Sequence, residues 1–283
     1  MNSAATPVPE SAAPITFLDV HMGFDEGEIL RGISFQVLPR ETRVLLGETG
    51  AGKTLALKLA AGLLQPLGGT VNVLGKEVSE MRERELLEFR QQIGFVFQEG
   101  ALFDSMTVAE NVAYRLREER VDAEEIEQRV HEALRFVELE HTLDLFPPEL
   151  SGGMRRRVSI ARALISRPPI VLYDSPTAGL DPVTSQTIIA LILRLRDVYG
   201  VTAMLATQRI QDGFAMANYR FDPETKRVVH NDGREGAART SHEGGTQFLV
   251  LREGQIYFEG APEEIVNLTL PPKVQAQASV LPS

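Results

Sequence analysis

A glycine-rich segment of the chain has the residue types and the spacing that bind a nucleotide phosphate. Residues 47–54 read GETGAGKT, a complete G-x-x-x-x-G-K-[ST] pattern between a short apolar run and a segment of helical periodicity. The glycines let successive backbone N–H groups turn towards a phosphate, and the start of the following helix adds positive potential. The lysine would contact the β- and γ-phosphates, and the threonine hydroxyl would ligate Mg²⁺. The predicted nucleotide-binding residues are Gly47, Glu48, Thr49, Gly50, Ala51, Gly52, Lys53 and Thr54.

A carboxylate at the end of an apolar run supplies a second part of this predicted site. Residues 170–174 read IVLYD, which is typical of a strand covered on both faces of a sheet. Magnesium prefers hard oxygen ligands and gives up water reluctantly, so Asp174 would hold the ion through its hydration shell. A lone aspartate after a strand could instead cap a helix. The presence of the phosphate loop in the same chain favours the metal-binding role, shared with Thr54.

A serine followed by two glycines, in the run LSGGM at 150–154, indicates another anion site. Ser151 can cap the helix expected after it, and the free N–H groups at a helix start favour a negative charge. A flexible helix cap alone would have the same residues. A chain that binds nucleotide with its own phosphate loop does not need this second site. The run therefore favours the class of proteins that have an anion contact in addition to the phosphate loop.

The order of apolar runs and helical segments around these residues predicts an α/β fold. The expected strands are 33–38, 42–46, 70–75, 93–98, 170–174 and a strand beginning at 201, and the expected helices include 53–64 and about 182–197. Residues 105–166 are predominantly helical, and Thr107 with Glu110 has the spacing of a capping box. We therefore expect a buried, largely parallel sheet with an inserted helical lobe at about 105–166.

Residues 220–246 interrupt this order and are polar. They contain the run NDG, which is a strong signal for a hairpin turn. We interpret the segment as a solvated hairpin or loose insertion, because it has no apolar stripe for docking; an arm that contacts a partner is the alternative. Residues 248–260 are then expected to form a hairpin that turns at Glu253–Gly254.

The composition of the chain further limits the class of protein and the kind of partner. The chain has 283 residues, 43% hydrophobic and 24% charged, which is typical of a soluble protein with one large domain. Its formal net charge of −10 argues against a nucleic-acid partner, because phosphate contacts need a basic face. It has no cysteine, which excludes disulfides and thiolate metal sites. No apolar run approaches the roughly 20 residues that span a bilayer, so we expect an intracellular protein with a disordered arm at 1–14 and a flexible tail at 268–283.

The motifs LSGGM followed by ARAL, YDSPTAGLDP and the phosphate loop together resemble the ATP-binding cassette of ABC transporters. The resemblance covers about residues 15–267 outside the insertion. It implies a P-loop NTPase of ABC-cassette type, with a RecA-like core sheet, an N-terminal antiparallel β subdomain and the helical lobe. It also implies a subunit that uses ATP and Mg²⁺ to drive a membrane permease, at the cytoplasmic face of the inner membrane.

The same resemblance assigns roles to further residues. In that family two cassettes pair head to tail, so Ser151, Gly152 and Gly153 would contact the γ-phosphate bound by a second cassette. Gln98 would approach Mg²⁺ and sense the permease, and Asp181 would lie in the loop that crosses the dimer interface. Phe24 is the expected aromatic residue that stacks on adenine, and Phe17 and Phe35 are alternatives for that role.

A narrower resemblance concerns residues 97–118, FQEGALFDSMTVAENVAYRLRE, and the Met154 that replaces the glutamine of most cassettes. Both are similar to the ATPases of MCE-type (mycobacterial cell entry, Mla-like) lipid transport systems. This similarity implies a phospholipid or other hydrophobic cargo and an MCE-domain protein beyond the permease.

Two positions depart from the family pattern. Ser175 stands where the general-base glutamate is expected, and Gln208 aligns with the switch histidine. A serine hydroxyl is a poor proton acceptor at pH 7, and losing a positioned base costs about 10²–10⁴ in rate. We therefore expect intact ATP binding with slow hydrolysis. Glu99 and Glu48 are possible substitute bases, although neither has the motif position.

Two other functions stay open at this stage. The chain could be a degenerate cassette that binds ATP without hydrolysing it and regulates an active partner cassette. It could also be a soluble ABC ATPase of translation or DNA repair, but those proteins carry paired cassettes or a long coiled coil, which this chain lacks.

Overall fold

The computed structural model describes residues 13–25, 27–231 and 245–266. The expected tail at 268–283, most of the expected arm at 1–14 and the part of the polar insertion at 232–244 lie outside these described residues. Within the described part of the chain, no helix combines the length and the apolar character needed to cross a membrane.

Strands and helices alternate through most of the described chain. The strands are β1 (Ile15–Phe24), β2 (Gly27–Val37), β3 (Thr42–Leu46), β4 (Gly68–Val73), β5 (Lys76–Glu77), β6 (Ile93–Val96), β7 (Ile170–Asp174), β8 (Thr202–Ala206), β9 (Tyr219–Asp222), β10 (Arg227–His230), β11 (Thr246–Arg252) and β12 (Gln255–Gly260). The α-helices are α1 (Lys53–Ala60), α2 (Glu83–Arg90), α3 (Val108–Glu118), α4 (Ala123–Phe136), α5 (Gly152–Leu164), α6 (Pro182–Tyr199), α7 (Ile210–Asn218) and α8 (Pro262–Val266). Short 3₁₀ turns lie at Val78–Glu80, Glu140–Thr142 and Pro147–Glu149.

The central sheet has six strands in the order β12-β11-β3-β8-β7-β6. Every pairing is parallel except β11 with β12, which form an antiparallel edge. All five residues of β3, β7 and β8 are buried, as expected for strands covered on both faces. Parallel pairing places the carboxyl ends of β3, β6, β7 and β8 at one edge of the sheet, and the candidate site residues follow those ends.

A separate four-stranded sheet, in the order β2-β1-β4-β5, is antiparallel throughout. Its inner face packs on the same core as α1 and one side of the central sheet. The predicted combination of a largely parallel sheet and an N-terminal antiparallel sheet is confirmed.

The helices α3, α4 and α5 lie within the segment predicted to be helical and pack against one another. The capping box is present: the Glu110 N–H donates to Thr107 Oγ1 at 3.2 Å, and the Thr107 N–H donates to the Glu110 carboxylate at 2.9 Å. The buried Asn111 side chain fixes the preceding loop through the backbone of Phe103, because its amide oxygen accepts from the N–H at 2.8 Å and its amide donates to the carbonyl at 3.0 Å.

The predicted end of the first helix was wrong. The first helix ends at Ala60 rather than at Leu64, because Gly62 takes a left-handed φ of 64° that breaks the helix. The described part of the polar insertion forms a hairpin of β9 and β10 that turns at residues 223–226, and the NDG run, predicted as a turn, lies outside the described residues after Asn231. The hairpin between β11 and β12 is confirmed, since Glu253 and Gly254 have φ values of 52° and 81° that suit a tight two-residue turn.

The hairpin of β9 and β10 is held on α6 through Arg196, which is 8% exposed. Its guanidinium donates to the carbonyls of Met216 and Tyr219, and it lies 3.4 Å from Thr246 Oγ1. The residues on either side of the insertion are thereby joined to one side chain at the base of the hairpin.

A buried ion cluster links the two sheets. Arg43, on β3, donates to Glu41 at 2.6 Å, to the carbonyl of Gln36 on β2 at 2.6 Å, and to Glu259 on β12. Arg43 and Glu41 are 5% and 2% exposed, respectively. Burial raises the pKa of Glu41, and the charge of Arg43 opposes that shift. The charged form of the buried Glu41 is therefore stabilised by the charge of Arg43.

We predict that Arg43→Ala lowers the free energy of unfolding by about 3–5 kcal/mol, because it leaves the buried Glu41 without its charged partner, although the Leu38 N–H still donates to it. Urea unfolding measures the change. Arg252→Ala is the matched control, since that arginine is 52% exposed and lies 3.6 Å from Glu253, and its loss is expected to cost about 0–1 kcal/mol. Equal losses in the two variants would contradict a role for the buried cluster.

Candidate nucleotide site

The phosphate loop lies between the end of β3 and the start of α1, where the predicted strand–loop–helix order requires it. Gly52 has a left-handed φ of 96°, and a Cβ atom at this position would lie 2.3 Å from the side chain of Leu30. A Cβ atom on Gly47 would lie 2.5 Å from the carbonyl oxygen of Leu251. These glycines let the loop fit between the two sheets and keep backbone N–H groups available to a phosphate.

Lys53 points back into its own loop. Its Nζ donates to the carbonyls of Gly47 at 2.8 Å and Glu48 at 2.7 Å, and the residue is 7% exposed. Burial lowers the pKa of Lys53, and the charge of Asp174 opposes that shift. An ammonium has three donors, so one is left for a phosphate oxygen beside the loop.

Thr54, in the first turn of α1, meets Asp174, the last residue of β7. The Thr54 hydroxyl donates to Asp174 Oδ1 at 2.9 Å, and Asp174 is 5% exposed. A hydroxyl and a carboxylate at this distance supply hard oxygen atoms of the kind that Mg²⁺ takes in phosphate sites, so the two residues fit the predicted ion. Gln98 follows β6, whose Val96 pairs with Tyr173, so its backbone lies at the same edge of the sheet; its side chain is exposed.

Ser175 and Gln208 follow the ends of paired strands, since Asp174 is in register with Ala206. Ser175 has a left-handed φ of 47°, and its N–H donates to the Ala206 carbonyl at 2.8 Å. Gln208 is exposed, as are Glu48 and Glu99. Ser175 and Gln208, the two residues that depart from the family pattern, therefore follow paired strands at the mouth of the site. They place a hydroxyl and an amide there.

The structure separates the three aromatic candidates for the adenine contact. Phe17 and Phe35 are buried and stack on each other with ring centroids 4.5 Å apart. Phe24 is 57% exposed at the end of β1, in the hairpin whose Leu30 abuts Gly52 of the phosphate loop. Phe24 is the one of the three with a ring surface free for a base.

The run at 151–153 begins α5, and its serine caps that helix: Ser151 Oγ accepts from the N–H of Met154 at 3.2 Å. Asp181 caps α6 in the same way, accepting from the Thr184 N–H at 3.0 Å. The Thr184 hydroxyl also donates to Asp181, and this hydrogen bond lowers the pKa of that carboxyl. Ser151, Gly152 and Asp181 are exposed, as a contact with another chain requires.

Two buried charged residues around this edge were not predicted from the sequence. Arg156, on α5, donates to the carbonyl of Phe97, and Asp212, on α7, accepts from the hydroxyls of Thr177 and Thr207. The run RRR at 155–157 and an aspartate five residues after Thr207 were available as signals. Their importance depends on which loops they reach, and sequence spacing does not show that.

Comparison with known proteins identifies the class of site. The family model described as ABC transporter matches residues 30–178. The methionine import ATP-binding protein MetN 2 of Bacillus cereus is 37% identical over 200 residues, which are 69% of this chain and 59% of that protein. MetN of Rhizobium etli is 36% identical over 218 residues, 75% of this chain and 60% of that protein. The chain thus spans about three-fifths of the length of these curated relatives.

Solved structures agree with the family match. A bacterial ABC transporter cassette solved as a dimer is 28% identical, with a TM-score of 0.71, and the match covers 87% of this chain and 98% of that one. The cbiO1 protein of Clostridium perfringens, part of an ABC transporter complex, is 25% identical with a TM-score of 0.73, covering 93% of this chain and 98% of that one. The predicted fold, an α/β P-loop NTPase of ABC-cassette type, is confirmed, and the chain belongs to the ATP-binding cassettes of the ABC transporter family.

Proposed function

We propose that this chain binds ATP with Mg²⁺ and that ATP binding, followed by slow hydrolysis, drives a membrane permease. The observation that carries the proposal is the meeting of Lys53, Thr54 and Asp174 at the mouth of the phosphate loop, with the Thr54–Asp174 hydrogen bond at 2.9 Å. A cation and two oxygen ligands at one sheet edge suit a triphosphate and its metal ion.

Each part of the nucleotide has a candidate contact. The N–H groups of residues 47–54 and the start of α1 would surround the β- and γ-phosphates, and Lys53 would use its remaining donor for a phosphate oxygen. Thr54, Asp174 and Gln98 would hold Mg²⁺, whose charge offsets the charge that develops on the phosphate. Phe24 would stack on the adenine ring.

A second cassette would complete the site. The exposed Ser151 and Gly152, together with the half-buried Gly153, would contact the γ-phosphate of the opposite chain from the start of α5, and the exposed Asp181 would lie at the interface. The dimeric state of one solved cassette of the same fold supports this arrangement.

Hydrolysis would be slow because no carboxylate follows Asp174. Ser175 and Gln208 can hydrogen-bond a water molecule or a phosphate oxygen, but neither takes up a proton at neutral pH. Positioning and electrostatic stabilisation would then supply most of the remaining catalysis. The same two residues favour the second candidate function, a cassette that binds ATP without hydrolysing it and regulates a partner. A role in translation or DNA repair has no support from the relatives, which are named as transporter components.

The permease contact is proposed to be a groove of about 350 Å³ beside the loop that contains Gln98. Its rim has large side chains that are unusually exposed: Leu63 and Phe103 at 42%, and Tyr114 at 38%. Arg162 lies 5.9 Å from the Phe103 ring centroid and donates to the carbonyls of Gly100 and Ala101. An apolar helix of the permease in this groove would press on the Gln98 loop directly. Such docking would place the chain at the cytoplasmic face of the membrane.

Two observations point to different cargoes. Residues 97–118 and Met154 favour a phospholipid or another hydrophobic molecule, with an MCE-domain protein as a further partner. The curated relatives reported above are named for methionine import and give no support to the lipid cargo or to the MCE-domain partner. Because the permease rather than the cassette handles the cargo, an assay of the whole transporter is needed to choose between them.

We predict that the purified chain hydrolyses ATP slowly and that Ser175→Glu with Gln208→His raises the steady-state rate by about 10²–10⁴-fold, because the pair restores a base and a switch residue. The left-handed backbone at residue 175 already tolerates a non-glycine side chain. Lys53→Ala is the control, and it should weaken ATP binding about tenfold or more through the loss of charged hydrogen bonds.

The double substitution separates the two candidate functions. Slow but measurable hydrolysis by the native chain that the substitution accelerates would support the slow ATPase, whereas hydrolysis that appears only after substitution would support the regulatory cassette. A native chain that is already fast, and that Lys53→Ala inactivates, would contradict slow hydrolysis and would mean that another group positions the water.

We predict that the chain co-purifies with a permease from detergent-solubilised native membranes and that Tyr114→Ala weakens this association about tenfold, because it removes an aromatic contact of the groove. Tyr257→Ala is the matched control, since Tyr257 is 42% exposed on β12. The co-purified complex is then reconstituted in liposomes. Transfer of labelled phospholipid that requires ATP would support the hydrophobic cargo, whereas ATP-dependent uptake of L-methionine without lipid transfer would overturn it.

A further inference from the structure

The loop at 175–181, between β7 and α6, is held from two sides by buried side chains of opposite charge. Arg156 approaches it from α5 and Asp212 approaches it from α7. These residues are 5% and 3% exposed, which is rare for charged side chains unless they are paired or fully hydrogen-bonded.

Arg156 joins this loop to the loop that contains Gln98. Its Nη1 donates to the Phe97 carbonyl at 3.0 Å and lies 3.4 Å from the Ser175 carbonyl. The same two carbonyls accept the N–H groups of Gly100 at 2.9 Å and Ala178 at 3.1 Å, which form the turns of their respective loops. One guanidinium group therefore contacts two carbonyls, and each of these accepts the hydrogen bond that closes the turn of its loop.

Asp212 joins the same loop to the residue before Gln208. One carboxylate oxygen accepts from Thr177 Oγ1 at 2.5 Å and from Thr207 Oγ1 at 2.9 Å, and Arg209 lies 3.7 Å from the other. Thr207 in turn accepts from the N–H of Arg209 at 3.0 Å. A shift of the loop at 175–181 would thus strain the hydrogen bonds that place Gln208.

We propose that Arg156 and Asp212 are positioning residues that hold the loop at 175–181 between the Gln98 loop and Gln208, so that all three loops move as one unit. The inference rests on the proposed function, because these loops are the ones expected to meet the γ-phosphate, the metal ion and the second cassette. It has particular weight in this chain, since a site with a serine after Asp174 depends on positioning rather than on a base. Neither residue is proposed to touch the nucleotide.

The chain has its own control for Arg156. Arg155 and Arg157 are its neighbours on α5, and each also donates to a backbone carbonyl, of Leu150 at 2.7 Å and Val137 at 3.0 Å. The Arg157 bond stays within the helical lobe and reaches neither site loop. Arg157→Gln therefore removes the same charge and a similar hydrogen bond from the same helix without touching the proposed unit.

Amide hydrogen exchange tests the inference without any need for turnover. In Arg156→Gln, the amides of Gly100 and Ala178 should both exchange about tenfold faster than in the native chain, because a charged hydrogen bond to each turn is lost. In Arg157→Gln the same two amides should keep their native rates. Unchanged rates in Arg156→Gln, or equal acceleration in the two variants, would overturn the proposal.

A double-substitution cycle tests whether the two sides act on the same loop. Thr177→Val removes one hydroxyl from Asp212 and is gentler than Asp212→Ala, which leaves two hydroxyls without their acceptor. If the loop is one unit, the combined effect of Arg156→Gln and Thr177→Val on Ala178 exchange falls well short of the product of the single effects. The effects of Arg157→Gln and Thr177→Val on Ala178 exchange should multiply. If the effects also multiply for Arg156→Gln with Thr177→Val, the proposed coupling is overturned.

Steady-state kinetics provide the functional readout. Arg156→Gln should lower kcat about tenfold with KM for ATP changed less than about threefold, because the phosphate loop is untouched. A rise in KM with kcat unchanged would place Arg156 in nucleotide binding and overturn its role as a positioning residue. If the native chain does not hydrolyse ATP, the hydrolytic part of the proposed function fails, and the exchange measurements still decide the inference.

Discussion

The hydrogen bond between Thr54 and Asp174 joins residues 120 positions apart, and most of the fold can be understood as the framework that brings them together. Thr54 can reach Asp174 only if β3, β7 and β8 lie parallel and in register, which requires crossover helices on both faces of the sheet. Those helices in turn demand strands that are apolar on both sides, and all the residues of β3, β7 and β8 are buried. The short contact at the surface of the site therefore depends on the whole core.

Buried charge is concentrated where one layer of the molecule meets another. Arg43 crosses between the two sheets, Arg196 holds the added hairpin on α6, and Arg156 and Asp212 flank the loop after Asp174. Each of the three arginines donates to backbone carbonyls, and Asp212 accepts from two threonine hydroxyls. These hydrogen bonds are directional, which apolar packing is not. Their burial costs stability, and what they add is a defined geometry between elements that are distant in the sequence.

Much of the fold and part of the candidate site could be predicted from the sequence because the relevant interactions are local. The phosphate loop, the capping box at Thr107 and the hairpin at Glu253–Gly254 are each specified by residues within a few positions of one another. Phe24 was the expected adenine contact, but Phe17 and Phe35 stayed open as alternatives, since the burial of each ring depends on packing between strands. Arg156 and Asp212 were missed for the same reason: their partners lie on other elements.

The anchoring of the polar hairpin allows the length of this part of the chain to vary. Arg196 bonds to Met216, Tyr219 and Thr246, so both ends of the excursion between α7 and β11 are pinned at one point on α6. When the ends of a loop are fixed, each doubling of its length costs only about 0.6 kcal/mol in closure entropy. Residues can then be gained or lost between these anchors while the strands that carry the phosphate loop stay in register. The segment between α7 and β11 can therefore acquire additional residues during evolution without a change in the nucleotide-binding core.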